Sequence, residues 1–252
     1  MKMFFVLEIK ERENTYKAKL HDLFYGAEVT QQKITPEKAL PFYIVSTYKY
    51  KGKLPWKEIE KICGKLFSKA VLPSGITPDE NTKIKSYRPS VLPLRALFFG
   101  AVRFLKSTKQ KHSITVFDEN GILCSFLEML AFASEITVVT NEKELYEEVS
   151  SKILYDYGIS VAVFEPSQKK TPLGSAVISC QSSNIPLTYP GLLFTLEKRK
   201  TLCTNVFCSR KIILPEKYDR LVPENTDRLL FASALYELCG AKELQNTEII
   251  FE

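Results

Sequence analysis

The sequence predicts an α/β protein: an N-terminal α+β region over residues 1–111, then a domain with a mostly parallel sheet over residues 112–252. Three observations carry that prediction. From 113 to 163, short β-branched runs alternate with helical patterns, with almost no chain between them, which is the spacing of βαβ units. Residues 3–50 are β-prone without that alternation. Charge also divides near residue 111: the first 111 residues hold 22 Lys+Arg against 10 Asp+Glu, and the rest hold 13 against 19. Such asymmetry predicts two units with different partners, or two units docked through their opposite charges.

In the first region, residues 3–9 form an apolar run. Residues 15–20 alternate Tyr16, Ala18 and Leu20 with Lys17 and Lys19. Residues 42–50 set Phe42, Ile44, Tyr48 and Tyr50 on one face and Tyr43, Val45, Thr47 and Lys49 on the other, and Lys51-Gly52-Lys53 ends that strand as a turn. Pro55 opens a helix where its missing N–H is harmless, and Ile59, Ile62, Cys63, Leu66, Phe67 and Ala70 form its core stripe. Residues 73–90 hold three prolines and read as loop. Ser90 caps a further helix to about residue 105, with Leu94, Leu97, Phe98, Ala101, Val102 and Leu105 inward. Residues 106–111 are a short basic connection, where the domain boundary is expected; the preceding helix can pack with either region.

In the second region, residues 113–117, 135–139 and 159–163 are expected as adjacent parallel strands. Asp118-Glu119-Asn120-Gly121 turns into a crossover helix over 121–133, with Leu123, Phe126, Leu127 and Leu130 at helical spacing. A second crossover helix spans 142–157. Asn141 and Glu144 make a capping-box pair, Leu145, Val149, Ile153 and Leu154 make the buried stripe, and Gly158 ends it. Residues 175–179 read as a fourth strand and 181–191 as loop. Residues 192–196 and 211–214 read as further strands, and Leu229, Leu230, Ala234, Leu235 and Leu238 mark a last helix before Gly240.

Composition excludes some classes. With 45% hydrophobic and 25% charged residues the chain is ordinary for a globular protein. No run reaches the ~18–20 apolar residues of a membrane span; the most apolar stretch, 92–105, is broken by Arg95 and Arg103. Lys2 is followed by Glu8, Lys10 and Glu11 rather than a signal-peptide core, so a cytoplasmic location with reduced thiols is expected. Cys203 and Cys208 are five residues apart, and the two histidines, His21 and His112, stand in no ligand motif, so no metal is predicted.

The second region resembles the Rossmann-like domains of nicotinamide-dependent dehydrogenases over roughly 112–240, in its element order and its short apolar strands. The resemblance implies a sheet order of 3-2-1-4-5, with ligands outside the carboxyl ends of the strands. It does not extend to the Gly-x-Gly-x-x-Gly fingerprint. The matching segment, Asp118-Glu119-Asn120-Gly121-Ile122-Leu123-Cys124, offers only Gly121. Two carboxylates stand where a pyrophosphate would lie. At ~4 Å and an effective dielectric near 20, each like-charge contact costs about 4 kcal/mol, against ~0.3–2 kcal/mol from a helix terminus. No cofactor is therefore predicted; NAD(P) in a non-standard pose is the alternative.

The candidate cleft collects the polar residues just past the strand ends: Asp118, Asn120 and Gly121; Thr140 and Asn141, where a dinucleotide domain has a ribose-binding acid; and Ser179, Cys180, Gln181 and Ser182, in a polar run continuing to Asn184. Solvated loop polarity explains the same residues equally well. Cys180 has no histidine or cation beside it in sequence and reads as a small buried hydrophobe. Tyr43, Tyr48, Tyr50 and Trp56 interleave with Lys49, Lys51, Lys53 and Lys57, as on a single-strand nucleic-acid surface. Only four of the 22 basic residues there are arginine, so an amphipathic strand with a lysine-bearing turn is preferred. The expectation is a Rossmann-like domain without conventional dinucleotide binding that takes a small molecule or a protein partner. An NAD(P)-dependent oxidoreductase, or another nucleotide-using enzyme, is the second reading, and nucleic-acid binding by the basic half the third.

Overall fold

A computed structural model describes residues 4–11, 27–37, 39–49, 52–64, 69–166, 172–181, 185–186, 188–197, 205–208 and 211–251. The strand expected at 15–20, His21, Tyr50, Lys51, Leu66, Phe67, Ser182 and Cys203 lie outside the described residues. In chain order the elements are β1 (Phe4–Ile9), β2 (Thr30–Ile34), β3 (Phe42–Thr47), α1 (Trp56–Cys63), β4 (Lys69–Val71), β5 (Lys85–Ser86) and α2 (Leu92–Ser107). Next come β6 (Ser113–Phe117), a 3-10 helix (Cys124–Leu130), β7 (Glu135–Val139), α3 (Lys143–Tyr157), β8 (Val161–Phe164), β9 (Ala176–Ile178), β10 (Leu192–Phe194) and β11 (Val206–Phe207). The chain ends with β12 (Lys211–Ile212), α4 (Glu216–Asp219), α5 (Arg228–Cys239), a second 3-10 helix (Lys242–Asn246) and β13 (Ile249–Ile250).

Two compact units form: Met1–Ser90 with Leu214–Gln245, and Val91–Ile213 with Asn246–Glu252. These bounds differ from a break between 111 and 112. The basic residues 106–111 are not a linker but the tight connection that turns α2 into β6 within one unit. Burial explains why α2 belongs there: its apolar residues are inward, with Phe104 set against Phe194 and Phe207 at 5.5 and 4.6 Å between ring centroids.

The first unit holds a mixed sheet in the order β2-β3-β1-β4-β5. β1 is central and pairs in parallel with both β3 and β4. Its run Phe4-Phe5-Val6-Leu7 is wholly buried, as a strand covered on both faces must be. On one face α1 inserts Trp56, Ile59 and Cys63 among Phe5, Leu7, Val45 and Ala70. On the other, Phe42 stacks on Phe4 at 5.4 Å and meets Phe231 of α5 edge-on at 5.5 Å. The Asp227 side chain caps α5 by accepting from Leu230 N–H at 2.9 Å. β2 runs antiparallel at the sheet edge. Its residues Thr-Gln-Gln-Lys-Ile are almost all exposed, so no apolar alternation marks it in the sequence.

The second unit is an α/β fold on six parallel strands in the order β11-β10-β9-β6-β7-β8. Counted from β6 this is 3-2-1-4-5-6: the expected order is present, and Val206–Phe207 adds a sixth strand. The central register aligns Thr115 with Thr137 and Ala162 on one side and with Val177, Leu193 and Val206 on the other. Residues 211–212 are a strand but stand outside this sheet, pairing antiparallel with β13. The loop residues Leu173, Ile185 and Tyr189 pack on Val177 and Leu193 over one sheet face.

The first crossover corrects the expectation of an α-helix over 121–133. It is a 3-10 helix, with i to i−3 bonds such as Phe126 N–H to Leu123 O at 2.8 Å and Ala131 N–H to Glu128 O at 3.0 Å. Its seven residues rise about 14 Å, at ~2.0 Å each, close to the ~16 Å of a five-residue strand.

The C-terminal strand β13 crosses α2 at Gly100, where an added methyl group would overlap the Ile249 carbonyl oxygen. Alanine in a helix interior is favoured by ~1 kcal/mol over glycine, whereas overpacking a close backbone approach costs ~1–3 kcal/mol. The added carbon would stand 2.0 Å from that backbone oxygen, which puts the cost in the upper part of this range, so Gly100→Ala is expected to lower unfolding free energy in urea by about 1–2 kcal/mol. Equal or higher stability would show that β13 is free to move off the helix.

Candidate functional site

Four strands of the parallel sheet end on a polar residue: Asp118 after β6, Thr140 after β7, Ser179 after β9 and Thr195 after β10. All four are at most 2% exposed. Buried polar groups need partners, and here the chain itself supplies them. Asp118 accepts from Ile122 N–H at 2.9 Å through Oδ1, and from Leu123 N–H at 2.6 Å and the Tyr146 hydroxyl through Oδ2. Its own N–H donates to Val139 O at 2.9 Å, tying β6 to β7. Thr140 Oγ1 accepts from Glu142 N–H at 3.0 Å, and Thr195 Oγ1 from Glu197 N–H at 3.3 Å. These are side chain to backbone turns two residues long, the local use to which Thr and Ser are suited. Ser179 Oγ donates to Gln181 O at 2.6 Å.

Burial and the Asp118 charge act together on the neighbouring titratable groups. The Tyr146 hydroxyl is held above its ordinary range by burial first, and then by its bond to Asp118. Burial, with Asp118 and Glu197, pushes the Cys180 thiol up to about 12. Cys124 is raised in the same direction by burial, Asp118 and Glu148, and its thiol donates to Leu145 O at 2.9 Å. The sheet edge therefore brings Tyr146, Cys124 and Cys180 each within electrostatic reach of Asp118.

The other expected residues are placed differently. Asn120, Asn141 and Gln181 are exposed, and Gly121 takes the left-handed conformation of the turn at φ 67°. Asn141 does not cap α3. The cap position is Glu142, without a side-chain bond, while Asn141 N–H donates to Glu119 O at 3.2 Å. The buried stripe of α3 is also corrected. Leu145 and Leu154 are more than half exposed, and Tyr146 and Ile153 are the buried residues. The helix is turned so that the phenol reaches the buried carboxylate. Tyr146 and Ile153 are seven apart, a spacing that marks one helix face, but only a buried acid at 118 tells why tyrosine is the inward residue. Thr195 and Cys124 were likewise not singled out by sequence reasoning.

His112 is 7% exposed at the opposite, amino edge. It lies between Thr108 Oγ1 at 3.2 Å from Nε2 and Ser175 Oγ at 3.4 Å from Nδ1, joining the end of α2 to the start of β9. Among the described residues no three His, Cys, Asp or Glu side chains group as a metal site, and no helix is long and apolar enough to cross a membrane. No protein-family model matches the chain, and no curated protein matches it in sequence.

Two substitutions test the Asp118 cluster. Asp118→Ala leaves the buried Leu123 N–H and Tyr146 hydroxyl and the half-buried Ile122 N–H unpartnered; at ~1–3 kcal/mol for each buried donor, a loss of at least about 2 kcal/mol is expected in urea at neutral pH. Tyr146→Phe removes one bond to a charged acceptor and is expected to cost about 1.5–3 kcal/mol. Changes within about 0.5 kcal/mol for both, the range of ordinary surface substitutions, would contradict the assignment.

Alkaline pH tests the same cluster. Groups whose pKa is raised on folding keep their protons longer in the folded state, so their contribution is full below the unfolded pKa and is lost as pH rises from there through the folded pKa. The Cys180 thiol of the cluster, and the Cys63 and Cys239 thiols of the first unit, each pushed up from 9.0 to about 12, begin that loss near pH 9, and Tyr146 adds to it from about pH 10. In Tyr146→Phe the fall of stability above about pH 10 is expected to be shallower by about 1.4 kcal/mol per pH unit. Parallel curves for the two proteins would count against a buried phenol.

Proposed function

We propose that the second unit is a Rossmann-like binding module of a cytoplasmic protein that takes a small molecule or a protein partner without conventional dinucleotide binding. One observation carries this reading. In a dinucleotide-binding turn, the free N–H groups that start the first helix face the pyrophosphate. Here Asp118 accepts from the N–H groups of Ile122 and Leu123 from inside the fold. The carboxylate does for these amides what a phosphate would do, and it is covered by Tyr146. The next element is a seven-residue 3-10 helix, Cys124–Leu130, in place of an α-helix.

These residues do not fit a nicotinamide dinucleotide, so no hydride-transfer step is derived for them. Thiol chemistry at the edge is not supported either. With the Cys180 thiol pushed up to about 12, the thiolate at neutral pH is on the order of one part in 10⁵. An NAD(P)-dependent oxidoreductase would need the 118–123 turn to open and Asp118 to give up its three donors.

The test is a melting series with NAD, NADH, NADP and NADPH at millimolar concentration, paired with a titration of NADH fluorescence. The expected result is an unmoved melting temperature and no saturation. A dinucleotide bound with a dissociation constant near 10 µM would add about 2.7 kcal/mol under those conditions and would overturn the reading.

A further inference from the structure

We propose that a groove on the helical layer of the second unit binds an amphipathic organic carboxylate: an apolar body carrying one anionic group. The groove has a volume of about 590 Å³ and lies between α2, the 3-10 helix Cys124–Leu130 and residues 246–248. That volume falls in the ~300–1,000 Å³ range of small-molecule sites, which are apolar with a few placed polar groups. Its lining shares no residue with the polar cluster at the carboxyl edge of the sheet.

The bed is aromatic and adaptable. Phe99 and Phe126 meet edge to face, with centroids 5.1 Å apart and planes at 88°. Met129 is 37% exposed beside them, an unbranched thioether suited to filling irregular contact with an apolar ligand. The rim supplies the charge. Arg103 and Lys106 stand three residues apart on the last turns of α2, and both line the groove. Glu248, the one acid in the lining, is ion-paired with Arg103. Glu128, on the facing 3-10 helix, is paired with Lys152 at 2.6 Å. The lining thus carries two cations against one acid, with the Lys106 ammonium 5.4 Å over the Phe132 ring at its edge. A single negative charge on an apolar body complements that balance. A dianion exceeds it, and a neutral apolar body leaves Lys106 unanswered.

This inference rests on the reading of the unit as a binding module but on a separate set of residues. Saturable dinucleotide binding removes the module reading, whereas failure of the dye titration below removes the groove alone.

The probes are the aromatic sulfonate 8-anilinonaphthalene-1-sulfonate and its neutral counterpart N-phenyl-1-naphthylamine, with dodecanoate as competitor. The proteins are the full chain, Lys106→Glu and Met129→Glu, both changed at exposed positions and checked for an unaltered melting temperature. The wild type is expected to bind the sulfonate saturably and release it to dodecanoate. Lys106→Glu is expected to weaken the sulfonate by roughly tenfold or more while changing the neutral dye by less than about threefold, and Met129→Glu to weaken both dyes. The proposal is overturned by absence of saturable sulfonate binding, by sulfonate affinity indifferent to Lys106→Glu, or by equal losses for the charged and neutral dyes.

Discussion

The carboxylate of Asp118, buried at the end of the central strand β6, is the constraint that sets the second unit's local geometry. A buried charge is tolerated only when its acceptor sites are filled, and here two backbone amides and a phenol fill them. The two amides fix the turn after β6. The turn starts the 3-10 crossing, and that crossing delivers the chain to β7 within the strand's own length. The phenol fixes the rotation of α3, and with it which side chains that helix buries. One unpaired acid would cost more than any of these local choices, so they move together.

The same logic extends along the sheet edge. Thr140, Ser179 and Thr195 are buried: Thr140 Oγ1 accepts from Glu142 N–H, Ser179 Oγ donates to Gln181 O, and Thr195 Oγ1 accepts from Glu197 N–H and donates to Cys180 O across to the neighbouring loop. In an open parallel sheet this edge is where ligands lie. A ligand there would have to compete with bonds already made in a low-dielectric setting, where breaking one is expensive. The helical layer presents the opposite case: a partly exposed aromatic and thioether surface with charged side chains at its rim.

Much of the fold was legible in the sequence because the parallel strands are buried on both faces and so appear as continuous β-branched runs. Residues 113–117 and 135–139 match β6 and β7, and the third strand, expected at 159–163, is shifted to Val161–Phe164. The order of strands was legible by resemblance. What escaped detection has physical reasons. β2 is an exposed polar edge, and β5 and β11 are two residues each, too short for any period to show. The apolar spacing of Leu123, Phe126, Leu127 and Leu130 fits a 3-10 turn as well as an α-helix at that length. At the candidate site, Asp118, Thr140 and Ser179 could be found because strand ends are predictable. Tyr146 could not, since its inward orientation depends on a partner 28 residues away.

The central claim is that the Asp118 carboxylate holds the Ile122 and Leu123 amides from inside the fold. Residue-resolved amide hydrogen exchange under native conditions tests it most directly, because exchange of a buried, bonded N–H requires the structure to open. The account predicts that Ile122 and Leu123 exchange as slowly as the ladder amides of β6 and β7, and that both speed up in Tyr146→Phe. Exchange of these two amides in wild type as fast as that of the exposed turn residues Glu119 and Asn120 would contradict it.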